Sequence, residues 1–240
     1  MRGVVRTLRK PLHKLGVDVV RYRPQYALGE YAYLTTLGIK TVIDAGAHDG
    51  GFARMIKKLL PEATVISFEP LHETFQELEN SMRGVSGWRA FNCALGEEDA
   101  RIEMHRSNFT QSSSLLPMAD LHKQAFPESA DASSEMVEVS RLDSVLDAAQ
   151  LEPEILLKID VQGYEDRVIR GGEKLVARAR ALIVEVSFQK LYEGQPLFDD
   201  VYGMLKQRGL LYMGNLYQLT SPVDGCVLQA DALFMRQTEG

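Results

Sequence analysis

A glycine-rich segment between an apolar run and a helical pattern is the feature that most restricts how this chain can fold. The β-branched run 41–44 (TVID) leads directly into residues 44–51 (DAGAHDGG). Apolar residues then recur at the spacing of one helix face, at Phe52, Ile56, Leu59 and Leu60. Glycine permits a tight turn and lets a ligand approach the backbone, and a following helix offers free N–H groups. The pattern predicts a strand, a ligand-binding turn and a helix, although an ordinary tight connection would explain an isolated match.

The acid that ends the apolar run separates two classes of cofactor. A dinucleotide-binding turn has the pattern GxGxxG, and Asp44 stands where that pattern has its first glycine. A carboxylate would repel a pyrophosphate, whereas S-adenosylmethionine carries a sulfonium and an ammonium and no phosphate. Glu69 follows a second predicted strand (64–68), where an acid can accept hydrogen bonds from both ribose hydroxyls. These two acids favour S-adenosylmethionine over NAD.

Strand and helix patterns alternate along most of the chain, with further strands predicted at 88–94, 155–160, 181–186, 210–213 and 232–235. Such alternation indicates parallel βαβ units. A chain of 240 residues suits one domain of this class, and we expect it to span residues 41–240. In a doubly wound sheet the residues at the exit of the third strand, Asn92, Ala94 and Leu95, lie beside the cofactor base, although a plain strand exit fits them equally well.

Residues 107–135 interrupt this alternation. They are rich in serine and small polar residues, and a long irregular segment in a compact domain is either a functional lid or disordered. Both interpretations stay open, as does acceptor binding by the serines at 112–114. Farther on, residues 140–143 (SRLD) have the pattern of a capping box that opens a helix.

Three residues are candidates for chemistry. Asp160 ends a buried predicted strand at the carboxyl edge of the sheet, where it would accept a hydroxyl proton or hold the cofactor ammonium. His48 lies inside the glycine turn, with a solvent-facing loop residue as the alternative. Glu185 ends the next strand and would bind the acceptor or pair with a basic side chain. Alternation places Lys158 on the face of Asp160, so we expect an ion pair; no dense acidic cluster indicates a metal.

Five segments, taken in order, resemble the FkbM-type methyltransferases: VIDAGAHDGGFA, ISFEP, FNCALGEEDA, LLKIDVQGYEDRVIRGGEKLV and EVSFQKLYEGQP. The resemblance runs from about residue 41 to 235. It implies a Rossmann-like class I methyltransferase with a seven-stranded, mostly parallel sheet and an antiparallel last strand. It also implies O-methylation, commonly of a sugar hydroxyl on a glycan, glycolipid or natural product.

The turn, the loop and the resemblance together define the expected site. By position, the resemblance assigns Asp44, Gly46 and Gly50 to the methionine side, Glu69 to the ribose, Ala94 and Leu95 to the base, and Asp160 to the acid after strand four. The expected cofactor-binding residues are Asp44, Gly46, Ala47, His48, Gly50, Glu69, Asn92, Ala94, Leu95 and Asp160. Asp160, His48 and Glu185 are the expected catalytic residues. A methyltransferase-like binding protein without catalysis is the alternative function.

Residues 1–40 fall outside the resemblance and form a basic arm, for which the apolar spacing predicts a helix. Residues 1–23 carry seven basic side chains against one acid, in a chain of net charge −6. The acidic remainder argues against a nucleic acid partner. The arm would contact an anionic inner membrane face, or pack on the body or on a second copy of the chain. Two cysteines form no disulfide framework, and we expect a cytoplasmic protein.

Overall fold

The computed structural model describes residues 29–107, 110–129 and 131–237. The chain divides into two compact units, Met1–Tyr33 and Leu34–Gly240. The proposed membrane contact of residues 1–23 lies outside the described residues. Within the described ranges, no helix has the length and apolar character needed to cross a membrane.

The described part of the second unit contains ten strands and seven α-helices. The strands are β1 (Thr41–Ala45), β2 (Thr64–Phe68), β3 (Trp88–Phe91), β4 (Ala94–Gly96), β5 (Ala100–Ser107), β6 (Asp131–Arg141), β7 (Ile155–Ile159), β8 (Ala179–Ser187), β9 (Leu210–Thr220) and β10 (Val227–Arg236). The helices are α1 (Gly51–Leu59), α2 (His72–Ser81), α3 (Asp120–Ala125), α4 (Leu142–Val145), α5 (Glu165–Gly171), α6 (Glu173–Arg178) and α7 (Phe198–Gln207). A 3₁₀ helix, Gly29–Thr36, precedes them.

Seven strands form the main sheet in the order β3-β2-β1-β7-β8-β10-β9. β3, β2, β1, β7 and β8 are parallel, whereas β10 is antiparallel to both of its neighbours. The predicted seven-stranded α/β sheet with an antiparallel last strand is therefore confirmed. Strand order reverses between β1 and β7, and ligands bind at such a switch point at the carboxyl edge.

The central strands of the main sheet are fully buried. β1 and β7 are buried along their whole length, as expected for parallel strands that are covered on both faces. Val168, Leu175 and Leu205 from α5, α6 and α7 belong to the core that packs against them. Each such fully buried side chain contributes about 1.5–3 kcal/mol.

The predicted strand 88–94 is divided between two sheets. β3 ends at Phe91, and β4 joins a three-stranded sheet of order β4-β6-β5. β4 is parallel and β5 antiparallel to the long strand β6. The pairing with β6 is a contact distant in sequence, which explains why a single strand was expected from the local pattern.

The insert, as residues 107–135 are called here, runs from the last residue of β5 into the first part of β6 and contains more regular structure than its composition suggests. α3 lies between two 3₁₀ turns, Thr110–Ser112 and Pro127–Ser129, and β6 begins at Asp131. Backbone hydrogen bonds attach the insert to the loop after β8, from Ala119 N to Leu191 O (2.9 Å) and from Glu193 N to Pro117 O (2.8 Å).

Candidate active site

The glycine turn after β1 fits between the ends of two neighbouring strands. Gly46 and Gly50 have φ values of +81° and +84°, in the left-handed region that favours glycine. A Cβ atom on Gly46 would lie only 1.8 Å from the carbonyl oxygen of Asp160. The amides of Gly46 and Ala47 donate to the carbonyl of Phe68 at 3.0 and 2.9 Å. The turn is therefore fixed between the ends of β2 and β7.

Asp44 is fully buried at the carboxyl end of β1. Neither of its carboxylate oxygens has a hydrogen-bond partner among the described residues, and Lys158 Nζ lies 4.0 Å from Oδ1. Burial raises the pKa of Asp44 to about 6, although the charge of Lys158 opposes the shift. A buried acceptor without a partner is costly, so this carboxylate is available to a ligand that donates hydrogen bonds or carries positive charge.

Glu69 joins the glycine turn to the exit of β2. Its Oε2 accepts a hydrogen bond from His48 N and its Oε1 one from Leu71 N, both at 3.0 Å. Burial raises the pKa of Glu69 to about 7, against the effect of these two bonds. A carboxylate has about four acceptor positions, so Glu69 retains capacity for ribose hydroxyls.

Three residues were expected beside the cofactor base. Asn92 binds backbone carbonyl groups, and Ala94 and Leu95 lie in a strand. Asn92 Nδ2 donates to the carbonyls of Glu69 and Pro70, each at 2.9 Å. Ala94 and Leu95 are buried in β4, rather than in the loop that the sequence suggested. Asn92 therefore stabilises the exit of β2.

His48 adopts a left-handed backbone conformation, with φ of +48°. Its Nε2 lies 2.7 Å from Thr110 Oγ1 in the insert, and its Nδ1 lies 3.6 Å from Asp49 Oδ1. The imidazole thus connects the glycine turn to the insert.

Asp160 and Glu185 are joined by one side-chain amide. Gln162 Nε2 donates to Asp160 Oδ1 and to Glu185 Oε2, both at 2.8 Å. The other oxygen of Asp160 accepts from Lys158 Nζ at 2.9 Å, which confirms the predicted ion pair. Because both protons of the amide bind carboxylates, its oxygen must face the other way, and that oxygen accepts from the hydroxyl of Tyr192 at 2.9 Å.

Glu185 is surrounded by acids and amides. Gln229 Nε2 in β10 donates a second hydrogen bond to Oε2, at 2.8 Å, and no hydrogen bond within the described residues reaches Oε1. Asp231 is the cross-strand partner of Glu185. Burial, followed by the charges of Asp160, Glu165 and Asp231, raises the pKa of Glu185 well above its usual range.

The connection between β7 and α5 is held by Glu165, at the first residue of α5. Its Oε1 accepts from Gly163 N at 3.0 Å and from Val161 N at 3.3 Å. Burial raises its pKa to about 7. This anchor keeps Gln162 in a left-handed conformation, with φ of +54°, so that its side chain reaches both acids.

Neither Gln162 nor Glu165 was predicted as a functional residue. Both lie in the KIDVQGYE segment, which is the one signal that could have indicated them. Tyr192 lies in the EVSFQKLYEGQP segment that begins at Glu185. Gln229 comes from β10, and only the tertiary structure brings it to Glu185. The described residues contain no group of three or more His, Cys, Asp or Glu side chains arranged to hold a metal.

A cavity of about 380 Å³ lies beside Gln162 and Glu185. The insert supplies one wall, which includes Gln111, Ser112, His122, Phe126, Glu128 and Ser129. β9 and β10 supply the other, which includes Tyr217, Leu219, Gln229 and Asp231. The single hydroxyl proton of Tyr192 is shared between Ser112 O at 3.0 Å and Gln162 Oε1 at 2.9 Å, and this contact connects the insert wall to the two acids.

The chain is similar in sequence to two proteins that are named as methyltransferases. 2-O-methyltransferase NoeI from Sinorhizobium fredii (strain NBRC 101917 / NGR234) is 31% identical over 160 residues, which cover 64% of this chain and 66% of that protein. Methyltransferase 1 from Beauveria bassiana (strain ARSEF 2860) is 32% identical over 144 residues, covering 54% and 57%. The matched part of the chain thus spans less than two thirds of either relative.

The crystal structure of methyltransferase FkbM from Methylobacillus flagellatus KT has a similar fold, with a TM-score of 0.53 and 14% identity over 82% of this chain and 43% of that one. At this identity the likeness shows the fold alone. The family model of the methyltransferase FkbM domain matches residues 44–212, well over half of the chain. The chain therefore belongs to the FkbM methyltransferase family.

Proposed function

We propose that this chain is an S-adenosylmethionine-dependent O-methyltransferase that acts on a hydroxyl group of a sugar. One observation carries the proposal: the amide of Gln162 binds both Asp160, beside the glycine turn, and Glu185, which lines the cavity. A cofactor position and an acceptor position are thereby adjacent. Only an acceptor that is a poor nucleophile, such as an alcohol, needs a carboxylate there to remove its proton.

S-adenosylmethionine is the cofactor that the family match supports, and the residues present fit it. The glycine turn packs directly against the carbonyl oxygen of Asp160, and the two oxygens of Asp44 are buried and have no hydrogen-bond partner in the described part of the chain. Asp44 and Asp160 would hold the positively charged end, and Glu69 the ribose hydroxyls. When bound, S-adenosylmethionine supplies a methyl group that is activated by a sulfonium.

The two acids differ in what already binds them. Asp160 accepts from Lys158 and Gln162, so its charge is balanced and its role is to hold and orient. Glu185 receives both of its hydrogen bonds on Oε2, which leaves Oε1 to accept a proton from a hydroxyl in the cavity. Burial and neighbouring acids raise the pKa of Glu185, and an ionised carboxylate with a raised pKa is a stronger base. We therefore assign the base to Glu185.

The choice of a sugar hydroxyl also draws on the relatives. NoeI is named a 2-O-methyltransferase, which favours oxygen as the accepting atom. The cavity offers side chains of the kind that bind sugars: carboxylate and amide groups for hydroxyls, and the rings of Phe126 and Tyr217 for apolar ring faces.

Calorimetric titration with S-adenosylmethionine, followed by incubation with sugar acceptors, tests the proposal. Asp44→Ala should weaken cofactor binding at least about tenfold. Glu185→Gln should leave cofactor binding unchanged and slow the mass gain of one methylene on the acceptor by about 10²–10⁴. Glu62→Gln, an exposed change at the opposite edge of the sheet, is the matched control. Wild-type protein that produces no thermal shift with the cofactor would instead indicate a fold without catalysis.

A further inference from the structure

The cavity beside Glu185 has an uneven distribution of charge. Three carboxylates line it: Glu128 from the insert, Glu185 from β8 and Asp231 from β10. None of its lining residues within the described chain is a lysine or an arginine. The wall therefore presents acceptors and negative charge to whatever enters.

The nearest buried cation is already engaged. Lys158 Nζ is 2.9 Å from Asp160 and 4.0 Å from Asp44, and it also lies 5.3 Å from the ring centre of Phe52. Its charge also acts on Asp231. Among the described lining residues of the cavity there are three acids and no lysine or arginine, and charges in a partly enclosed cavity are screened less than charges in open solvent.

The remaining lining groups suit hydroxyl-rich ligands. Gln111 and Gln229 offer amides and Ser112 and Ser129 offer hydroxyls, all of which bind neutral hydroxyl groups without a charge on the ligand. His122 is buried and packs edge-on against Tyr192, with ring centres 5.3 Å apart.

We infer that the cavity accepts a sugar residue that is neutral or amine-bearing and rejects one that carries a carboxylate or a phosphate. The inference rests on the proposed function in taking the cavity as the acceptor site. Its basis is repulsion: an anionic substituent would lie against Glu128, Glu185 and Asp231, with no lysine or arginine among the described lining residues to receive it. Such unfavourable pairing gives specificity.

Three sugars that share one ring test this selectivity by ligand-observed saturation-transfer NMR: glucose, glucosamine and glucuronate. S-adenosylhomocysteine is present to occupy the cofactor side. We expect signals from glucose and glucosamine, and a glucuronate signal at least about fivefold weaker. Glu128 is exposed at the cavity rim, so Glu128→Lys should fold and should strengthen the glucuronate signal while weakening that of glucosamine.

Glu62→Lys makes the same change of charge at an exposed residue before β2, at the opposite edge of the sheet, and should alter none of the three signals. Equal signals from glucose and glucuronate in the wild type would overturn the inference, as would an identical response of the two lysine variants or no signal from any sugar. Cofactor binding is measured in the same samples by calorimetry. A protein that selects sugars in this way but does not bind S-adenosylmethionine would refute the proposed function alone.

Discussion

Replacing Gly46 with alanine should disrupt the site more than any other single methyl addition in the glycine turn. The left-handed conformation at φ of +81° costs a non-glycine residue about 1–2 kcal/mol. The new Cβ would also lie 1.8 Å from the carbonyl oxygen of Asp160, well inside contact distance. Asp160 N donates to Ala45 O at 3.1 Å, so β7 cannot move away without breaking its pairing with β1. We expect a total loss of about 4 kcal/mol or more.

Two other glycines separate the sources of this loss. Gly38 has φ of +67°, but no described atom lies within 4 Å of the position that an added methyl group would take. Gly38→Ala therefore carries the conformational cost alone, about 1–2 kcal/mol. Gly203 lies in α7 with open space around it, and Gly203→Ala should stabilise the protein by about 0.5–1 kcal/mol. The series holds the chemical change constant and varies only its surroundings.

Urea unfolding of the three variants measures these free energies, and calorimetry measures S-adenosylmethionine binding. Gly46→Ala should weaken binding at least a hundredfold, or about 2.7 kcal/mol, whereas Gly38→Ala and Gly203→Ala should bind like the wild type. If Gly46→Ala were no less stable than Gly38→Ala and still bound the cofactor, the close approach of the turn to Asp160 would be refuted.

Three further changes test other parts of the site. Glu185→Gln should lower turnover by about 10²–10⁴ with cofactor affinity unchanged; near-normal turnover would exclude Glu185 as the base. Tyr192→Phe removes the hydroxyl that binds Gln162 and the insert. It should lower the free energy of unfolding by about 1 kcal/mol and speed amide hydrogen exchange in residues 110–129. Unchanged exchange would contradict the connection between Tyr192 and the insert. Burial raises the pKa of Glu165 from 4.5 to about 7, so the unfolded chain releases this proton first as the pH rises. The stability that Glu165 contributes is therefore present below about pH 4.5 and is lost as the pH rises toward 7. The free energy of unfolding of Glu165→Gln should fall less between these pH values than that of the wild type. Equal losses in the variant and the wild type would refute the raised pKa of Glu165.

Features that depend on neighbouring residues were predictable from the sequence. The run 41–44, the glycines and the following helix are contiguous, and burial of β1 and β7 follows from their apolar composition. Strand alternation was enough to predict the ion pair between Lys158 and Asp160, which is confirmed at 2.9 Å. The predicted sheet is confirmed because its strands alternate with helices along the chain.

Features that depend on distant partners were not predictable in this way. The capping-box pattern at 140–143 predicted that Asp143 would stabilise the start of its own helix. In the structure α4 has no side-chain cap. Asp143 instead accepts from Lys174 N at 2.9 Å and Leu175 N at 3.2 Å, at the start of α6. The same carboxylate satisfies a different helix terminus because tertiary packing brings that terminus closer.

The insert shows the same limitation at the level of a whole segment. Its serine-rich composition suggested a lid or disorder, since serine is typical of irregular structure. Several of these serines instead satisfy buried groups: Ser114 Oγ donates to the carbonyl of Gln162 at 2.5 Å, and Ser113 Oγ accepts from Ser107 N at 3.1 Å. Because their partners lie elsewhere in the fold, composition alone could not distinguish an ordered cavity wall from a mobile loop.

The electrostatics of the sheet edge link the cofactor site to the cavity. Asp44, Asp160 and Glu185 lie at neighbouring strand ends, with Lys158 as the cation closest to the first two. Burial raises the pKa of Asp44 to about 6 and that of Glu185 well above its usual range. Because desolvated carboxylates without partners are destabilising, these acids do not stabilise the folded state. A group of destabilising buried acids at one edge of a sheet is typical of a binding site. Asp44 and Asp160 favour the sulfonium and the ammonium of the cofactor, and Glu185 continues this row of acids into the cavity, where Glu128 and Asp231 join it in opposing anionic acceptors.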